Sequence, residues 1–97
     1  MRNVTSAAII ATVVRRVREN VGISQERLAV RAGVTRTYVG RVERGVLNPT
    51  IVTMNRLLGA IGVSWAEFGA ALDRELAAAS ENRAAGRARL RPGPSKR

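Results

Sequence analysis

A chain of 97 residues with 45% hydrophobic side chains has material for one small domain and a single core. It contains no cysteine and no histidine, which removes disulfides, thiolate zinc sites, cysteine nucleophiles and the commonest general base and metal ligand. The net charge of +10 favours a polyanionic partner, nucleic acid ahead of an anionic membrane surface.

No enzyme activity, metal or cofactor is therefore expected. The charge is also uneven: residues 1–82 carry 11 basic and 7 acidic side chains, whereas residues 83–97 carry six basic side chains and no acid. No stretch approaches the ~20 apolar residues that a membrane span requires. The run "AAIIATVV" from Ala7 resembles a signal-peptide core, but it meets Arg15 and Arg16 with no small-residue cleavage site. It reads instead as the buried face of a first helix in a cytoplasmic protein.

In chain order, Thr5 or Ser6 can cap that helix, which runs to about Asn20. Ile10, Val14, Val17 and Val21 are spaced by three and four along one face, and Gly22 ends the helix. Ser24 caps a short second helix, with Glu26 in its positive first turn and Leu28, Ala29 and Ala32 as its inward stripe. Gly33 stops it. Thr35 caps the third helix, with Val34 and Val39 at the spacing of a hydrophobic staple, and Gly45 ends it. Thr50 caps a fourth helix with Ile51, Met54, Leu57, Leu58 and Ile61 inward, closed by Gly62. "SWAE" at Ser64 is a capping box opening a fifth helix that carries Trp65, Phe68, Leu72 and Leu76 and extends through "ELAAAS". After Ser80 the apolar pattern fails. The expected fold is all-α: a five-helix domain over 1–82 and a basic, disordered tail over 83–97.

The third helix is the informative one. At 100° per residue, Arg36, Thr37, Gly40, Arg41 and Arg44 fall within one sector of about 140°, opposite Val39 and Val42. Tyr38 and Glu43 flank it. Such a helix offers a small, polar, cationic ridge of the kind that enters the major groove of B-DNA, where arginine bonds bidentately to guanine O6 and N7. A glycine within it costs about 1 kcal/mol relative to alanine, and a close approach of backbone to DNA would account for that cost. The second and third helices, joined by a tight glycine-containing turn over about 25–45, form a helix-turn-helix unit.

The segment "ISQERLAVRAGVTRTYVGRVERGVLNPTIVTMNRLLGAIGVS" resembles the Cro/C1-type, or XRE, helix-turn-helix family. Gln25, Leu28, Ala29, Gly33, Val34, Tyr38, Val39, Glu43, Gly45, Asn48 and Pro49 all stand where that pattern expects them. "RTYVGRVERG" followed by "NPT" looks more narrowly like controller proteins of restriction–modification systems. The resemblance implies five helices, binding to double-stranded DNA and a homodimer on a two-fold related site. It implies base reading by Arg36, Thr37 and Arg41, and phosphate contacts by Gln25, Tyr38 and Arg44. It also implies a structural pair, Arg18 with Glu43, that ties helix one to helix three. The dimer is expected to use helix five and the end of helix four, where Trp65, Phe68, Leu72 and Leu76 offer apolar surface.

Two other readings stay open on the residues. One is a DNA-binding antitoxin, with helix five or the tail binding a toxin. The other is a nonspecific architectural or membrane-surface protein.

Overall fold

The structure is a computed structural model that describes the backbone of residues 6–90 and the side chains of residues 6–81. Five helices follow one another: α1 (Ser6–Val21), α2 (Gln25–Ala32), α3 (Arg36–Glu43), α4 (Ile51–Ile61) and α5 (Trp65–Leu90). Their ends are set by local chemistry. Ser24, Thr35 and Thr50 each hold extended backbone and accept a hydrogen bond from the amide three residues on, which satisfies one orphan donor of the first turn. The capping box at the start of α5 closes in both directions: Glu67 N donates to Ser64 Oγ at 3.0 Å and Ser64 N donates to Glu67 Oε1 at 2.8 Å.

The core is aliphatic. Leu28, Leu57 and Leu58 are wholly enclosed, together with Val13, Val14, Val39 and Val42. Each such side chain contributes about 1.5–3 kcal/mol on leaving water. α2 packs between α3 and α4, while α1 spans α3 and α5. An ion pair from Arg16 Nη1 to Glu75 Oε1 (2.6 Å) also joins α1 to α5 at the surface.

Two expected core positions differ. Val21 is 51% exposed, and α1 turns Ile9, Ala11 and Val13 inward instead. α1 has to meet α3 and α5 together, so its buried face is broader than a single stripe, and Val21 falls at its last residue beyond the packed stretch. Ile51 is 73% exposed because it is the first residue of α4, and the helix reaches the core only at Met54. Phe68 is buried against the core, although Trp65 beside it is half-exposed. The two rings meet edge-to-face at 6.2 Å.

α5 is helical to Leu90, past the point where its apolar pattern stops. Alanine and arginine, which dominate that stretch, are strong helix formers. The side chains of the expected tail, and its backbone from residue 91, lie outside the described residues.

Candidate nucleic-acid interface

The turn between α2 and α3 is built by Gly33. Its φ of +74° is left-handed, a conformation that costs a residue bearing a Cβ roughly 1–2 kcal/mol. The reversal lets Val34 N donate to the carbonyl of Ala29 at 3.0 Å, which closes α2 and delivers Thr35 to its cap position. Thr35 Oγ1 then accepts from Tyr38 N at 3.0 Å and opens α3. Val34 and Val39 both pack on the core cluster, so the entry of the chain into α3 is pinned from inside.

α3 divides sharply. Val39 and Val42 are buried at 1% exposure each, and opposite them Arg36, Thr37, Arg41 and Arg44 are exposed. Among the described residues none of these three arginines has a carboxylate within ion-pair distance. The sector therefore presents uncompensated positive charge, and Arg36 and Thr37 sit at the positive end of the helix dipole. Gly40 lies in the same sector but is buried: a Cβ built there would stand 3.1 Å from Arg44 Nη1. The ring of Tyr38 packs against the core at the flank of α3 and is half-buried.

The back of α3 is anchored by charge. Glu43, with a side chain only 2% exposed, accepts from Arg18 Nε at 2.6 Å and from Arg18 Nη2 at 3.0 Å. Arg18 Nη1 also donates to the carbonyl of Ile23 at 2.8 Å, so one guanidinium ties α1, the α1–α2 turn and α3 together. The hydrogen bond to Glu43, reinforced by the charges of Glu43 and Glu19, raises the pKa of Arg18 above its ordinary value despite burial. The same carboxylate takes a third bond, from Gln25 Nε2 at 2.9 Å. That link was not foreseen from the sequence. Gln25 and Glu43 lie on different helices, and only the tertiary packing of α2 on α3 brings them together. The bond uses one of the two N–H groups of the Gln25 amide and leaves the other at a half-buried surface site beside the start of α2.

A family model for a helix-turn-helix domain matches residues 14–68, more than half of the chain. The chain belongs to the Cro/C1-type helix-turn-helix family. It is thus a DNA-binding, non-enzymatic transcriptional regulator. Among family members it is 40% identical over 53 residues to an HTH-type transcriptional regulator of Sinorhizobium fredii, covering 55% of this chain and 69% of that protein. It is 43% identical over 56 residues to the control protein C.SmaI of Serratia marcescens, covering 58% and 67%. Two solved structures of restriction–modification controller proteins share the fold. The wild-type controller C.Esp1396I superposes with a TM-score of 0.70 at 28% identity, covering 72% of this chain and 92% of its own. C.AhdI from Aeromonas hydrophila gives a TM-score of 0.61 at 35% identity, covering 64% and 94%. C.Esp1396I has been solved as a tetramer on its natural 35-base-pair operator, and also with a consecutive arginine, threonine or tyrosine substituted. Among the described residues of the present chain, no helix is long and apolar enough to cross a membrane.

Proposed function

We propose that this regulator binds a two-fold related operator in double-stranded DNA as a homodimer, with α3 lying in the major groove of each half-site. The observation that carries this is the outward face of α3: three arginines without acidic partners among the described residues, on a helix held from behind by two buried valines and a buried ion pair. Arg36, at the helix start that usually enters the groove, reads a guanine edge, with Thr37 and Arg41 beside it on the same face. Gln25 and Tyr38 hold flanking phosphates through a free amide N–H and a phenolic hydroxyl. Arg36, Thr37 and Tyr38 repeat the order of residue types substituted in the solved forms of C.Esp1396I, which supports these roles.

A dimer places two copies of α3 on successive half-sites and doubles the contacts. The surface we assign to it differs from the end of helix four expected from the sequence, because Leu58 and Ile61 there are consumed by the chain's own core. Exposed apolar side chains gather instead where α4 and α5 begin. Ile51, Val52 and Trp65 line one shallow groove with Asn55, whose Oδ1 accepts from Trp65 Nε1 at 2.7 Å and fixes the indole.

Selection of random duplexes by the purified protein tests the reading. The expected product is an inverted repeat whose half-sites are about 34–36 Å apart, one helical turn, or a multiple of that. Recovery of unrelated sequences with equal affinities would overturn it.

A further inference from the structure

Gly40 stands on the outward side of α3 and is nonetheless buried. Arg44 covers it. A Cβ placed on Gly40 meets Arg44 Nη1 at 3.1 Å, and apart from its two chain neighbours and the local helix backbone no other described atom lies within 4 Å of that point. Arg44 caps the C-terminus of α3 with right-handed backbone (φ −91°, ψ −2°), so its side chain leans back along the helix, as helical side chains do. Its guanidinium comes to rest a turn before its own Cα, over the middle of the outward face. Among the described residues no carboxylate draws it there. The missing Cβ leaves room over the backbone for this guanidinium, which carries five N–H donors.

We infer that Gly40 and Arg44 form one specificity element, in which Gly40 positions Arg44 so that its guanidinium reads a base edge in the groove. The position of Arg44 at the helix end, taken alone, assigns it to a phosphate. The seat on Gly40 holds it instead within the polar sector of α3, on the side that faces the bases. The inference rests on the placement of α3 in the major groove. It adds a third arginine to the reading face, at a different base pair from that of Arg36. Guanine is the edge that suits it, because O6 and N7 accept the parallel pair of N–H groups that arginine presents.

The test measures affinity for the selected operator and for duplexes carrying each single base-pair change across a half-site. The proteins are the wild type, Arg44→Ala, Arg44→Lys, Gly40→Ala and Arg36→Ala. Arg44→Ala should lose on the order of 10-fold discrimination at one base pair, distinct from the pair affected by Arg36→Ala. Arg44→Lys should lose it too, since an ammonium keeps the charge but not the fork. Gly40→Ala should weaken preference at the Arg44 pair, in the same direction and to a smaller extent, while the melting temperature holds or rises. The inference is overturned if Arg44→Ala weakens all duplexes evenly, if Arg44→Lys restores the preference, or if Gly40→Ala ranks the panel as the wild type does. If Arg36→Ala also leaves the ranking unchanged, the placement of α3 itself fails. If only Arg36→Ala changes it, α3 is placed correctly and the Gly40–Arg44 element is wrong.

Discussion

Glu43 accepts three hydrogen bonds, two from Arg18 and one from Gln25, and so connects the stability of the fold to a candidate phosphate contact. Removing it leaves the Arg18 guanidinium buried with one carbonyl and a distant Glu19 carboxylate at 3.8 Å. Arg18 cannot escape by losing its proton, because a guanidinium stays charged at any working pH. In the intact protein the bond to Glu43 raises its pKa, so the contribution of the pair on this side is complete below the ordinary arginine value and lost only as pH climbs through the still higher folded value. Breaking a buried pair by deleting one partner costs roughly 3–5 kcal/mol, and the surviving Ile23 carbonyl places Glu43→Ala toward the lower end. Urea denaturation of Glu43→Ala should show that loss; an unshifted midpoint would count against the pair. Gln25→Ala behaves differently. Glu43 keeps both bonds from Arg18, so the stability loss should be only about 1 kcal/mol. Affinity should fall by a similar factor for cognate and noncognate duplexes, because a phosphate contact carries no sequence information directly. A change in the ranking of duplexes would reassign Gln25.

At the scale of the element, α3 depends on its cap. Thr35 Oγ1 satisfies the amide of Tyr38 within the same turn that presents Arg36 and Thr37. Thr35→Ala should lower stability by about 1 kcal/mol and fray that turn, reducing operator affinity as well. Equal melting temperatures for variant and wild type would show that the cap contributes nothing. Such ends were legible in the sequence because they are local: Ser24, Thr35, Thr50 and the Ser64–Glu67 box each act within three residues. The division of α3 was legible for the same reason, since Val39 and Val42 lie opposite four polar positions on any ideal helix. What the sequence did not disclose depends on neighbours distant in the chain. The inward turn of Ile9 follows from how α1 lies on α3 and α5. The outward position of Ile51 follows from where α4 first meets the core. Gly40 is intermediate: its place on the polar face was visible, but its cover, Arg44, is a matter of side-chain direction.

The whole molecule combines a cationic face on α3, an apolar groove and a strongly basic extension. If the groove of Ile51, Val52 and Trp65 joins two copies, Ile51→Glu should leave the fold intact, because that side chain lies outside the core. It should also shift the protein to a monomer in light scattering, whereas a dimer unchanged at low micromolar concentration would move the interface elsewhere. We propose that the extension acts through charge. Residues 83–97 carry six basic side chains, and no described residue beyond Leu72 belongs to the core or packs against it. Deleting 83–97 should therefore leave the melting temperature unchanged while removing electrostatic affinity. Each phosphate neutralised contributes about −0.9 to the slope of log K against log salt. If all six charges reach the duplex, the slope for one protomer should flatten by about 5, and partial engagement would flatten it in proportion. The loss should be the same for operator and unrelated DNA, so the ratio between them should survive the deletion. Salt titrations of the full and shortened chains on both duplexes decide the matter. Parallel slopes would take the extension off the DNA, and a ratio that collapses with the deletion would make it a reader of sequence in its own right.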